Sequence, residues 1–435
     1  MKAKKILIVL SLVFISLTAI AFGVLYYGYI SVKKTLPQVI KLEDYKPLLV
    51  SQVFDRNGKK VGEFYRERRV LLPYKEIPEL VIKSFLAAED TTFFEHKGIN
   101  PQALIRAFIA NMRAGRNVQG GSTITQQVAK TLLLTNEKTF TRKIKDILLA
   151  IQMEENLSKE DILYLYLNQI YFGQSAYGIE MAAQTYFRKP AKALTIPEAA
   201  MLAGLPKAPS DYSPVRNPIR AKERQTYVLH RLAEIGYITE QQAKDYVKAP
   251  IKVYLKEEYE SKAPFYLETI RQLLVQQLGE DVILNQGVKI TTGLDLDKQI
   301  AANDAVYKGL KELDKRQGYR GALKSLSGDE EYQEFLDKQK KTLIAESNPQ
   351  RTILEDGTFA EVDIIKKGKI ISKKTTDDSN IPSYMTLGKS YEGVVISVND
   401  SEGYVEVQLP DTRGLIDFST MTWARKFNTE LRSDG

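Results

Sequence analysis

Three short stretches hold side chains that could do chemistry together. In Glu89-Asp90-Thr91-Thr92-Phe93-Phe94-Glu95-His96-Lys97-Gly98, the first carboxylate continues the i, i+4 line Val81, Phe85, Glu89, so it leaves a helix from an apolar stripe. Partial loss of water moves a carboxylate pKa toward neutrality, which suits a general base; the same Glu-Asp pair also reads as the solvated end of a helix. Gly120-Gly121-Ser122-Thr123-Ile124-Thr125-Gln126-Gln127-Val128-Ala129-Lys130 feeds hydroxyls from a glycine pair into a helix start. Free N–H groups and the positive dipole end there would seat a phosphate, or form a plain turn and N-cap. In Arg142-Lys143-Ile144-Lys145-Asp146, Arg142 and Asp146 lie four apart on one helix face, while Ile144, Ile147, Leu148 and Ile151 face inward. That is either a surface ion pair or a carboxylate set among cations that grip an anionic leaving group.

These groups need a helical frame to bring them together. From Ile77 to about Ala249 the apolar periodicity is helical, and Ser158-Lys159-Glu160-Asp161 and Thr195-Ile196-Pro197-Glu198 mark helix starts by a hydroxyl three residues before a carboxylate. Pro206, Pro209, Pro214 and Pro218 break the helices in an irregular stretch that begins at Gly204, a loop of the length that usually carries function. Leu104, Ile105, Phe108, Ile109 and Met112, interleaved with Arg106 and Arg113, fit an amphipathic helix at a lipid surface or an ordinary core helix. Ahead of this region, Ser51 to Tyr65 reads as a hairpin turning at Asn57-Gly58. Beyond it, Phe265 to Leu278 and Leu294 to Leu313 read as helices and Val288 to Thr292 as a strand. From Gly318 the chain turns polar and then strand-rich; Phe359 to Ile365, Ser390 to Val398 and Tyr404 to Leu409 suggest a small antiparallel barrel.

Composition narrows the chemistry. The 435 residues include no cysteine and two histidines, His96 and His230, which excludes disulfides, thiolate metal sites and a Cys nucleophile. Carboxylates and hydroxyls are left to carry any reaction. The length allows two or three domains, and 62 basic against 54 acidic residues, net +8, suit an anionic partner. After Lys4-Lys5 the chain runs from Ile6 to Ile30 without a charge, long enough to span a bilayer that about 20 helical residues cross. Ala19-Ile20-Ala21 resembles a signal-peptide cleavage site, but the apolar run continues past it, so an uncleaved anchor is the expectation. The N-terminal lysines place that end in the cytoplasm, Tyr26, Tyr27 and Tyr29 at the outer interface, and the rest outside.

In this order and spacing the motifs resemble one family: the membrane-anchored peptidoglycan glycosyltransferases that form the N-terminal domain of class A penicillin-binding proteins. The resemblance continues through Tyr166-Leu167-Asn168-Gln169-Ile170-Tyr171-Phe172-Gly173, Ala176-Tyr177-Gly178-Ile179-Glu180 and Glu198 to Ser210, and covers about residues 50 to 250. It implies a mostly α, lysozyme-like domain that polymerises lipid II into β-1,4 glycan strands with inversion, expelling undecaprenyl pyrophosphate. Glu89 matches the base that deprotonates the acceptor hydroxyl, and Asp146 a second catalytic carboxylate where the family commonly has Glu. Lys130, Arg142, Lys143 and Lys207 match cations around the diphosphate. Asp90, Thr123, Gln127 and Ser210 match polar contacts of the substrate sites; Phe93, His96 and Gly98 match structural positions. No tightly bound cofactor is expected, although the resemblance allows a divalent cation, Mg or Mn, at the diphosphate through Asp146.

The same resemblance extends more loosely past residue 250. Gly287 to Gln299 is similar to the start of the family's transpeptidase region, and Gly318-Tyr319-Arg320-Gly321 through Trp423-Ala424-Arg425 to its inserted OB-like barrel. The expected organisation is a cytoplasmic tail (1–5), an anchor (6–30), a connector (31–50), the transferase domain (51–250), a linker with the start of the transpeptidase domain (251–315) and the OB-like domain (316–435). The only Ser-x-x-Lys, Ser31 to Lys34, lies beside the anchor without companion motifs, so the transpeptidase core is expected outside this chain. Expected partners are lipid II, the growing glycan, membrane lipids and activator proteins at the barrel, with no nucleic acid; the expected place is the bacterial inner membrane, single-pass, catalytic part periplasmic. Competing readings are an inactive anchored scaffold and a glycan-cleaving enzyme, the latter disfavoured because a sugar leaving group needs no cationic clamp.

Overall fold

The computed structural model describes residues 30–37, 42, 45–115, 120–133, 140–254, 261–319, 321–347, 350–360, 382, 384–386 and 388–424. The expected anchor 6–30, apart from Ile30, and the greater part of the expected strand 359–365 lie outside them. Among the described residues no helix is long and apolar enough to cross a membrane. The chain is mostly helical with a few small sheets and divides into two units, the first comprising the described residues of Met1–Val50, Arg66–Gln184 and Lys189–Ala249, the second those of Ser51–Tyr65, Thr185–Arg188 and Pro250–Gly435.

The hairpin forms as read: β1 (Ser51–Phe54) pairs antiparallel with β2 (Lys60–Phe64), and Gly58 takes the positive φ its tight turn requires. It belongs to the second unit. From Arg66 the first unit runs through the short strand β3 (Arg68–Arg69) and then builds helices around a buried aromatic cluster. Helix α1 (Glu79–Glu89) buries Val81, Phe85, Leu86 and Ala88 along one face. Asn100 caps α2 (Pro101–Ala114) by accepting from the Ala103 N–H at 2.9 Å, and Gly115, in the left-handed region, ends it. Helices α3 (Ile124–Leu133), α4 (Phe140–Asn156) and α5 (Lys159–Gln169) pack together, and the Ser158–Asp161 capping box starts α5 where the sequence places it.

Strand β4 (Ala176–Tyr177) pairs parallel with β3, and α6 (Ile179–Phe187) follows. Helix α7 (Ile196–Gly204) starts with Glu198 accepting from the Thr195 N–H, and α8 (Pro218–Glu234) and α9 (Glu240–Lys248) complete the unit. Helix α1 packs on α7 and α8, with Phe85 edge-on to Tyr166 (6.0 Å) and Phe172 (5.8 Å) beneath it. This packing fixes the end of α1, and with it Glu89, against a rigid floor.

The second unit adds β5 (Ile251–Tyr254), α10 (Pro264–Leu278), α11 (Glu280–Asn285), β6 (Lys289–Thr291), α12 (Leu296–Gln317), α13 (Gly328–Ser347) and β7 (Gln350–Ile353). Here β1 pairs parallel with β6, and Val53, Val61, Phe64, Leu267, Ile283 and Leu294 form the core behind that sheet. Strands β5 and β7 pair antiparallel. The final strands β8 (Val394–Asn399), β9 (Tyr404–Leu409) and β10 (Thr412–Asp417) form an antiparallel meander in the order β10-β9-β8. Among the described residues this sheet is open, so the expected barrel is met only as an antiparallel three-stranded sheet. Helix α13 lies in the stretch the sequence reads as merely polar.

Candidate active site

Glu89 sits at the last turn of α1 in the wall of a cleft of about 740 Å³. The Gln127 amide on α3 donates from Nε2 to Glu89 Oε2 at 2.7 Å, and the Arg224 guanidinium on α8 stands 3.7 Å from Oε1, which has no hydrogen-bond partner among the described residues. The Glu89 side chain is 13% exposed. Burial raises its carboxyl above the usual range; the Gln127 hydrogen bond and the charges of Arg224 and Lys207 oppose this, and Asp90 adds to it. The arrangement provides a desolvated carboxylate open to a cleft with cations near enough to keep it ionisable, which is what proton abstraction from a hydroxyl needs.

The loop after Glu89 is tied down from several sides. His96 Nε2 meets Asp90 Oδ2 at 2.9 Å, and Asp90 Oδ2 also accepts from the Ile124 N–H at 3.0 Å, so Asp90 joins the loop to the start of α3. Phe93 is fully buried, edge-on to His96, with Lys159 Nζ 4.3 Å from its ring centroid; that ammonium donates to the His96 carbonyl at 2.7 Å. Gly98 has φ +85°, and a Cβ there would stand 2.6 Å from the Ala150 carbonyl oxygen. Its own carbonyl accepts from Thr123 Oγ1 at 2.6 Å. Thr123 is buried and exchanges hydrogen bonds with Gln126 across the first turn of α3 (3.1 and 3.2 Å), so its hydroxyl is spent on the cap.

Asp146 on α4 is 3% exposed, and its Oδ1 has no hydrogen-bond partner among the described residues. Burial raises its carboxyl, and the charges of Lys143, Arg142 and Lys130 pull it down. Burial pushes the Lys143 ammonium down, and its Nζ donates to Ser122 Oγ at 2.8 Å, linking α4 to the glycine-led loop. Among the described residues no group of three or more Asp, Glu or His side chains converges as a metal cage. One carboxylate among three cations suits an anion and does not fit a resident divalent ion.

The cleft thus collects Glu89, Asp90, Thr123, Gln127 and Lys207 of the residues picked from sequence, together with Ser122 and the glycine pair. Lys130 is exposed and lines a second cavity of about 230 Å³ that shares Gln127 with the cleft. Ser210 is exposed and lines neither cavity; its carbonyl accepts from Asn217 Nδ2 at 3.3 Å. The sequence reading missed Arg224, whose guanidinium also lies 4.3 Å from the Tyr227 ring centroid. The signal was available: Ala221, Gln225, Val228 and Leu232 form the buried stripe of α8, and Arg224, three after Ala221 and four before Val228, is a cation on that stripe.

Residues 57–233 match the model of the family described as Transglycosylase. The chain is 38% identical over 418 residues to penicillin-binding protein 1A of Rickettsia bellii, covering 94% of this chain and 52% of that protein. It is 39% identical over 387 residues to the Aquifex aeolicus protein of the same name (89% and 50% covered), and 42% identical over 302 residues to that of Pseudomonas aeruginosa (69% and 37%). The crystal structure of penicillin-binding protein 1A from Haemophilus influenzae aligns with a TM-score of 0.47 at 23% identity, over 88% of this chain and 41% of that one. The chain spans about half the length of the Rickettsia and Aquifex relatives it matches.

Proposed function

We propose, from the match of residues 57–233 to the transglycosylase family model, that the protein polymerises lipid II into β-1,4 glycan strands, inverting the anomeric centre and releasing undecaprenyl pyrophosphate. The observation that carries this reading is the buried Glu89 carboxylate, held by Gln127 and flanked by Arg224 in the cleft wall. Glu89 takes the proton from the 4-hydroxyl of the acceptor glucosamine as that oxygen attacks the anomeric carbon of the donor muramyl sugar. The bond from that carbon to the diphosphate oxygen breaks, and the electron pair leaves with the diphosphate. A single displacement needs one base and a stabilised leaving group, which is the logic of inverting glycosyl transfer.

In this reading Lys130, Arg142, Lys143 and Lys207 balance the charge that develops on the diphosphate, and Asp146 orders that cationic set. Gln127 and Ser210 contact the sugars and phosphates. Asp90 and Thr123, both bonded within the fold, shape the wall of the substrate site, while Phe93, His96 and Gly98 hold the loop. No step is assigned to a protein-bound metal. The uncharged run 6–30 supports a single inner-membrane anchor with the catalytic part periplasmic, and the exposed apolar side chains of α2 support contact with lipid. The sheet β8 to β10 is assigned to an OB-like domain that receives activator proteins. The transferase works within a bifunctional synthase whose transpeptidase domain starts within residues 251–315, and no penicillin-reactive residue is assigned in this chain.

The test is polymerisation of purified lipid II in detergent. Wild type should yield glycan polymer and Glu89→Gln none; an inactive wild type under conditions that support a known polymerase would sink the proposal.

A further inference from the structure

The second cavity holds a group that nothing above uses. Tyr166 lines it together with Gln127, Lys130, Gln169 and Tyr171. The Tyr166 side chain rises from α5, is 1% exposed and packs edge-on against Phe85, one turn before Glu89 on α1. Its hydroxyl is buried without a hydrogen-bond partner among the described residues, an arrangement that folded chains seldom keep unless a solvent molecule or a ligand satisfies it. At about 230 Å³ the cavity has room for water, and Gln127, Lys130 and Gln169 give it polar partners in an otherwise largely apolar lining. Gln127 faces both spaces, and an amide that gives its Nε2 to Glu89 has its oxygen left to accept elsewhere. Burial and the negative charges of Glu89 and Asp90 hold the Tyr166 phenol well above its usual range, so it remains an O–H donor at every working pH.

We propose that Tyr166 is a positioning residue for the base: through water in the second cavity its hydroxyl donates to the Gln127 amide oxygen and fixes the orientation in which that amide holds Glu89 Oε2. The inference rests on Glu89 acting as the base. Its consequence is that the charged state of Glu89 is set jointly by Gln127 and Tyr166 on one side, by Arg224 and Lys207 on the other, and against the neighbouring Asp90.

The experiment uses the full chain in detergent with lipid II. Tyr166→Phe keeps the ring and removes the donor. The kcat should fall by about fivefold with KM unchanged. The acid limb of the kcat/KM profile should move to higher pH, because a loosened Gln127 supports the carboxylate less. In a Gln127→Ala background Tyr166→Phe should change nothing further, since its effect passes through that amide. Incorporating 3-fluorotyrosine at position 166, a stronger donor, should move the acid limb to lower pH, and it decides the matter alone if Tyr166→Phe does not fold. An unmoved acid limb, or effects of Tyr166→Phe and Gln127→Ala that simply add, overturns the proposal. Full activity of Glu89→Gln overturns the base assignment instead, so the two failures are told apart.

Discussion

Glu89 carries a cost that its neighbours only partly offset. Its carboxyl lies above the ordinary range in the folded chain, so its contribution to stability is complete below the unfolded value and is lost as pH rises through the folded one. Glu89→Gln should therefore melt above wild type at neutral pH, by about 2 °C or more, and the gain should vanish near roughly pH 4, as calorimetry across pH would show. The same raised value sets the activity profile: kcat/KM should fall as pH is lowered through it, because a protonated Glu89 accepts nothing. Gly98 supplies the opposite kind of constraint. With φ +85° and the Ala150 carbonyl 2.6 Å from any Cβ, Gly98→Ala should destabilise the fold by about 2–4 kcal/mol in chemical denaturation and abolish polymerisation, since the loop bearing Asp90 and His96 must move. Glu89 was legible from its i, i+4 line and Thr123 from its place before a helix. The motif allowed both a phosphate seat and a plain N-cap; that the Thr123 hydroxyl goes to the cap could not be chosen from sequence, because a hydroxyl's partner depends on which chain segment lies opposite.

At the scale of elements, the two readings of α2 are now separable. Among the described residues Ile105, Phe108 and Met112 are 61, 68 and 65% exposed and Ala107 is the one buried residue of α2, which favours the lipid-surface reading over the core helix. Ile105→Ser with Phe108→Ser should weaken binding to anionic lipid vesicles by about tenfold or more in a sedimentation assay, with helix content by circular dichroism unchanged. Helices α7 and α8 meet where Gly204 admits the stem of Arg224: a Cβ at 204 would stand 2.8 Å from Arg224 Cγ. Gly204→Ala should move the guanidinium off Glu89 and raise the acid limb of the activity profile, because Arg224 is one of the charges that favours the ionised carboxylate. The capping boxes at Ser158 and Thr195 were readable because both partners are local in sequence. Helix α13 was not; its apolar side chains, among them the buried Leu336 and Ile344, are too sparse in Gly328–Ser347 to mark a stripe.

At the scale of the whole molecule, the hairpin β1–β2 shows where sequence stops. Asn57-Gly58 between alternating residues announces the turn, yet nothing local announces that Gln52, Val53 and Phe54 pair with Lys289, Ile290 and Thr291. Asp55 secures that crossing by accepting from the Leu296 N–H at 3.3 Å as well as from the turn. Val53→Ala, in a fully buried position, should cost about 1–3 kcal/mol and speed amide exchange at Lys289 to Thr291, far along the chain. The sequence by itself determined the helical character of the first unit and its caps, and marked Glu89 as a carboxylate on an apolar stripe, because periodicity, caps and residue type are written locally. Only the tertiary structure decided that Arg224 faces Glu89, that Thr123 turns to the cap, that the buried Tyr166 hydroxyl has no hydrogen-bond partner among the described residues, and that β1 joins β6. Each of these depends on contacts between residues distant in sequence, and no local pattern encodes which of many distant segments will meet.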